Sequence, residues 1–170
     1  MDHQTAGATF GTAYFIPSED EWYKSAYHKN NGVTGGAANY WDYPTGSDSV
    51  PTAVYGGTAA GTAVFYASPV IPTAPADVNN AGGLSPYGTM GQGGNVWEWN
   101  EALIGSSRGV RGGCWGDYSD GLASSGGADI SPTAENLGFG FRVASVPEPG
   151  SIILLVCGAI AALILWRRRK

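Results

Sequence analysis

Apolar and polar residues alternate along this chain only in short stretches, and just one stretch carries a helical period. Ala13 to Ile16 is a short strand candidate. Ser18 then predicts a helix N-cap, and Glu21 three residues on completes a capping box. Glu19, Asp20 and Glu21 suit the positive end of that helix, while Lys24, His28 and Lys29 suit its negative end. Trp22 with Ala26, and Tyr23 with Tyr27, form two adjacent i,i+4 pairs turned toward a core. Asn30, Asn31 and Gly32 close the helix. Asn39 to Asp48 reads as a Tyr/Trp-rich loop with a Pro-Thr-Gly turn. Val50 to Ala76 is rich in Ala, Gly, Thr and Pro and reads as a surface excursion, with a short strand at Ala63–Ala67.

Gly91 to Glu101 (GQGGNVWEWNE) organises the rest. Gly91, Gly93 and Gly94 permit a tight, left-handed turn. Strand alternation after the turn places Asn95, Trp97 and Trp99 on one face, expected to be buried, and Val96 and Glu98 on the other. A carboxylate beside a core needs a partner, so Glu98 is either a salt-bridged structural acid or an oxygen ligand for a hard cation such as calcium. Val110 to Trp115 is a further strand candidate, and Phe139, Phe141 and Val143 alternate as a closing core strand. Arg111 and Arg142 are the natural partners for Glu98 or another buried acid.

The chain ends differently. Ser151 to Trp166 is an unbroken apolar run of 16 residues behind VPEPGS (Val146–Ser151), and Arg167, Arg168, Arg169 and Lys170 follow it. As a helix the run would span roughly 24 Å against a hydrocarbon core of about 30 Å. Trp166 and the four cations suit the interface, and the positive-inside rule places Arg167–Lys170 in the cytoplasm with the body outside. Met1 to Thr12 has neither a basic nor an apolar segment and does not read as a secretory signal.

Composition sharpens the outline. The 170 residues include 27 glycines, and only 14% are charged, so loops should outweigh helices in one domain with an appendage. Six Trp and nine Tyr supply core volume, which excludes a disordered chain. All 14 acidic residues precede the tail, against Lys24, Lys29, Arg108, Arg111 and Arg142. An acidic body argues against a nucleic-acid partner. Cys157 lies within the apolar run, so a disulfide to Cys114 is not expected. His3 and His28 have no second ligand at metal-motif spacing and read as ordinary surface residues.

Five blocks carry a family resemblance: PSEDEWYKSAYH (Pro17–His28), YWDYPTGSD (Tyr40–Asp48), GGNVWEWNE (Gly93–Glu101), RGGCWGD (Arg111–Asp117) and NLGFGFRVA (Asn136–Ala144). In this order they resemble the C-terminal half of the formylglycine-generating enzyme, or sulfatase-modifying factor, family. The resemblance implies an α+β, C-type-lectin-like fold with much irregular chain over residues 1–145. It also implies a chain that is a fragment, a mis-called start or a degenerate copy, since the family's N-terminal half is missing before PSEDEW. One calcium loop of the family falls on Ala76–Ala81, with Asp77 and Val78 at ligand positions and a shortened Gly82–Leu84 after them. A second falls on the carbonyls of Gly94 and Val96 and the side chain of Glu98, with Gly91 where the family has a further ligand. The family's copper-dependent oxidation uses two cysteines, which fall here on Asp117 and Leu122. Copper is therefore disfavoured, and Cys114 is expected to be a small buried residue.

The tail resembles the PEP-CTERM sorting signal: motif at 146–151 with Pro147, Glu148 and Pro149 at its centre, a transmembrane helix at 152–166 and a basic tail at 167–170. That resemblance implies an exosortase as processing partner and a membrane-anchored body on the periplasmic or extracellular side. The expected function is an exported, non-catalytic binding or structural protein. The alternatives are an oxidoreductase acting on protein cysteine and a non-functional gene fragment.

Overall fold

The computed structural model describes residues 13–32 and 39–146, in two compact units: Ile16–Arg142, and the described residues on either side of it, 13–15 with 143–146. The apolar run, residues 147–151 of the sorting motif, the basic tail and His3 lie outside the described residues. Among the described residues no helix is long and apolar enough to cross a membrane.

In the larger unit the chain enters helix α1 (Glu19–Tyr27) through the predicted capping box. The Glu21 N–H donates to Ser18 Oγ at 3.3 Å, and the Ser18 N–H donates to Glu21 Oε2 at 2.8 Å. These bonds satisfy donors that a helix start otherwise leaves unpaired. Trp22, Ala26 and Tyr27 are fully buried, with Tyr23 and Tyr40 packed against them. Each such large side chain removed from water stabilises the fold by about 1.5–3 kcal/mol. His28 leaves the helix as its C-cap, and Asn30 (φ 46°) and Gly32 (φ 78°) turn the chain as expected.

The excursion from Val50 to Ala76 departs from expectation. Its strands β2 (Thr52–Ala53) and β3 (Thr62–Ala63) are two residues long and parallel. Ala63, Val64 and Phe65 are buried, so the middle of the excursion is core rather than surface. Ala63 and Phe65 pack with Leu122, and the Tyr27 hydroxyl donates to the carbonyl of Leu122 at 3.1 Å, tying this cluster to α1.

The main sheet runs β6 (Ala128–Ile130), β5 (Ser107–Arg111), β4 (Trp97–Ile104), β7 (Phe139–Phe141). Strands β4, β5 and β6 are antiparallel neighbours, and β7 lies parallel to β4. A four-residue helix, α2 (Ser119–Leu122), separates β5 from β6. The strand expected at Val110–Trp115 is Ser107–Arg111, ending where Gly112 and Gly113 turn to positive φ. The closing strand expected through Val143 stops at Phe141, which is 65% exposed. It is an edge strand bonded on one side to β4, so its outward face meets solvent instead of a core. In the smaller unit, β1 (Ala13–Phe15) pairs antiparallel with β8 (Ala144–Val146), matching Ala13 to Val146 and Phe15 to Ala144. The fold is thus mixed α/β with mostly strands.

Candidate functional site

The glycine turn before β4 sets the geometry. Gly91 (φ 75°) and Gly94 (φ 73°) both take left-handed backbone. A side chain at Gly94 would also place its Cβ 2.1 Å from the carbonyl oxygen of Val64, so only glycine fits. Asn95 then takes φ 65° itself, its N–H donating to Val64 O at 2.8 Å and its Oδ1 accepting the Ala76 N–H at 2.7 Å. Regular alternation begins only at Trp97. The faces are the reverse of those expected: Glu98 and Asn100 are buried (6% and 3% exposed), while Trp97 and Trp99 are half-buried. Helix α1 is the reason. It lies on the Glu98 side, where Trp22 and Glu19 supply polar partners, while Trp99 on the other face packs on Phe139.

Glu98 is the centre of a buried polar cluster. Arg142 grips it with two parallel bonds, Nη2 to Oε1 at 2.5 Å and Nε to Oε2 at 2.6 Å. The Trp22 indole Nε1–H donates to Oε2 at 2.6 Å. Arg142 also donates from Nη2 to the Met90 carbonyl at 3.2 Å, so the guanidinium links β4 to the glycine loop. Charge-assisted, bidentate pairs of this kind are short and directional. A second pair flanks it. Arg111 bonds Glu19 Oε1 from Nε at 2.7 Å, and Asn100 donates to Glu19 Oε2 at 2.5 Å. Arg111 further donates to the carbonyls of Ser124 and Gly126. Both arginines therefore hold buried or half-buried acids, as the sequence leads one to expect, each with its own partner.

This donor set does not fit a calcium ion at Glu98. Both carboxylate oxygens already serve a guanidinium and an indole N–H, and a divalent cation beside Arg142 would face a full positive charge. Asp77 and Val78, the ligand positions of the other loop, are both exposed, Val78 at 84%. Among the described residues no three of His, Cys, Asp and Glu converge on a point.

The positions where the resemblance puts two catalytic thiols are also built into the fold. Leu122 is fully buried against Phe65. Asp117 fixes a tight turn: its Oδ2 accepts the Cys114 N–H at 2.8 Å, its own N–H donates to Cys114 O at 3.1 Å, and its carbonyl accepts the Tyr66 N–H at 2.9 Å. Cys114 is half-buried and faces an apolar cavity of about 230 Å³ with Trp97, Ile130 and Phe139. Burial is the main cause that pushes its thiol up to about 11, with the Asp117 carboxylate adding to it. A thiol held protonated is a poor nucleophile and a poor metal ligand.

Sequence reasoning missed one residue altogether. His28 is buried, not superficial. Its Nδ1 accepts from the Asn30 N–H at 3.2 Å and from the Tyr87 hydroxyl at 2.8 Å, and the Asn39 side-chain amide lies 2.8 Å from Nε2. Its place as the residue directly after the buried Tyr27, at the helix cap, was the available signal.

Comparison with known proteins accounts for this arrangement. Residues 4–146 match the sulfatase-modifying factor enzyme 1-like domain, and residues 145–170 match the PEP-CTERM protein-sorting motif. None of the curated proteins matches. Among solved structures, Treponema denticola variable protein 1 is similar over 80% of this chain and 48% of its own, at 24% identity and a TM-score of 0.41. CarF is similar over 79% of this chain and 47% of its own, at 22% identity and a TM-score of 0.50, a likeness of fold. The chain thus spans about half the length of either structure. The sorting motif indicates an exported, envelope-associated protein recognised by an exosortase-type enzyme. By the extent of its match, this chain belongs to the sulfatase-modifying factor enzyme 1-like (formylglycine-generating enzyme) family and carries a C-terminal PEP-CTERM sorting motif.

Proposed function

We propose that this protein works at the cell envelope as a non-catalytic binding or structural module, with residues 1–145 as a C-type-lectin-like body and 146–170 as its sorting signal. One observation carries the reading: the two positions the resemblance assigns to catalytic thiols hold Asp117, committed to a backbone turn, and Leu122, committed to the core. Thiolate copper chemistry has no ligands there. Cys114 offers one thiol, and burial keeps it protonated at neutral pH. In this reading residues 152–166 anchor the protein in the membrane, with Arg167–Lys170 cytoplasmic before an exosortase acts at Pro147, Glu148 and Pro149. Glu98 serves the fold and not a cation. The melting temperature should then be the same in calcium and in chelator, and a rise in calcium would instead assign Gly94, Val96 and Glu98 to a metal.

The direct test offers the full chain a cysteine-containing sulfatase-type peptide with copper, oxygen and a thiol reductant. Mass spectrometry should find the cysteine unchanged. Conversion to an aldehyde would overturn the reading in favour of the oxidoreductase. A cooperative thermal transition is expected of the same sample, and its absence would favour a non-functional fragment.

A further inference from the structure

A cavity of about 340 Å³ opens beside the Asp117 turn. Trp97 and Tyr118 give it aromatic walls, Asp117 and Asp120 bring carboxylates, and the backbone of Gly126 and Gly127 forms a side without side chains. The walls are close together. A methyl placed on Gly121 would stand 3.7 Å from Trp97 Cζ2 and 3.4 Å from Asp117 Cβ.

Each carboxylate is anchored by a backbone N–H. Asp117 Oδ2 accepts the Cys114 N–H, and Asp120 Oδ1 accepts the Gly121 N–H at 3.1 Å. Both residues line the cavity, and the Cys114 thiol also interacts with the Asp117 carboxylate. Tyr118, although 65% exposed, is steadied by an edge-on contact with Tyr66, ring centres 5.0 Å apart. Among the described residues, Arg111 stands behind Gly127. Its guanidinium is already bound to Glu19 and to the Ser124 and Gly126 carbonyls, so its charge is compensated. No Lys, Arg or His lines the cavity.

We propose that this cavity binds an organic ammonium group. Two aromatic rings at the cavity can attract a cation through their quadrupoles. Two fixed carboxylates add charge-assisted hydrogen bonds at little cost in ordering, because backbone donors already hold them. A neutral polar ligand would gain less from the paired negative charge, and an anion would be repelled. The acidic body favours the approach of cations to the same face. The inference rests on the binding-module reading above, and gives that module a class of ligand: a protonated primary amine, free or at the end of a lysine side chain.

The test titrates the purified full chain, labelled with fluorotryptophan, with n-butylammonium chloride, with the neutral isostere n-pentanol, and with acetyl-Gly-Lys-Gly-amide. The fluorine resonance of Trp97, assigned with the Trp97→Phe variant, should shift saturably with the amines and not with pentanol. Asp120→Asn changes an exposed side chain, and Asp117→Asn retains an acceptor for Cys114. The double variant, with its thermal transition intact, should lose at least tenfold in amine affinity. Tighter binding of the peptide than of butylammonium assigns the site to lysine side chains, and equal binding assigns it to free amines. Equal response to pentanol, an unchanged affinity in the double variant, or no saturable shift would each overturn the proposal. The peptide-oxidation assay runs separately, so an active enzyme and an empty cavity give different results.

Discussion

Replacing Glu98 by Gln probes the arrangement on which the larger unit depends. The native carboxylate accepts three short bonds, two from Arg142 and one from Trp22 Nε1, at 8% side-chain exposure. Glutamine has one acceptor oxygen. Its amide NH2 must take the place of Oε1, facing Arg142 Nη2, or of Oε2, facing Arg142 Nε and the indole N–H, all of which are donors. With the amide oxygen in the Oε2 position the Trp22 and Arg142 Nε bonds survive, the NH2 meets Arg142 Nη2 as a donor–donor clash, and Arg142 keeps a charge that is only 20% exposed. Removing one member of a fully buried pair costs about 3–5 kcal/mol. Arg142 retains some water and the Met90 carbonyl, so the lower end, about 3 kcal/mol, is expected. For a body of this size that corresponds to roughly 10 °C in melting temperature. Thermal and urea unfolding followed by circular dichroism would measure it. A companion cycle with Arg142→Met and the double variant separates attraction from desolvation. The double variant removes both charges and should be less destabilised than the sum of the singles, by at least about 1 kcal/mol. An unchanged melting temperature in Glu98→Gln, or strict additivity in the cycle, would refute the account of Glu98 as the organising ion pair.

Four other outcomes are expected. Gly94→Ala should abolish cooperative unfolding or cost several kcal/mol, because the new Cβ meets Val64 O at 2.1 Å and the φ of 73° is strained; circular dichroism melts decide it, and a native-like transition would sink the argument. Cys114 should react with iodoacetamide slowly at pH 8 and faster toward pH 11, since its thiolate is the nucleophile and burial holds the proton. The same shift implies that stability is full below pH 9, the thiol's ordinary value, and declines as pH rises toward 11, with buried Tyr27, also pushed up by burial, acting in the same sense at still higher pH; flat stability through that window would contradict it. Finally, Glu148→Ala in the native host should leave the precursor unprocessed on a gel, and normal processing would remove the sorting assignment.

Local chemistry was legible in the sequence and long-range choice was not. The capping box around Ser18 and Glu21 follows from four consecutive residues, and the helix formed where they place it. The left-handed turn at Gly91 and Gly94 was equally local. The partner of Glu98 was a different matter. In the sheet register Glu98 stands directly opposite Arg111, which makes Arg111 the obvious choice. Yet Arg111 reaches across to Glu19, and Arg142 takes Glu98 from beyond β7. Two arginines and two acids admit either pairing, and the position of α1 selects one. The buried face of β4 went the wrong way for a related reason. Trp97 and Trp99 are the larger apolar groups, but the side on which α1 packs decides which residues lose water. His28 shows the limit from the polar side, since its partner Tyr87 is far along the chain and no spacing rule connects them. At the thiol positions the substitutions themselves were readable, whereas the structural duties of Asp117 and Leu122 needed the packing of Tyr27, Phe65 and Tyr66.

The two-pronged grip of Arg142 has a mechanical side as well. Arg142 is the last residue of the larger unit, and only Val143 to Val146 separate it from the Pro147 that opens the sorting motif. A pull on the chain that follows Arg142 enters the larger unit at this residue. There the load falls on two parallel bonds stretched together, which must break as one, and on a third to the Met90 carbonyl. The ion pair sits where the larger unit hands the chain on toward the sorting motif.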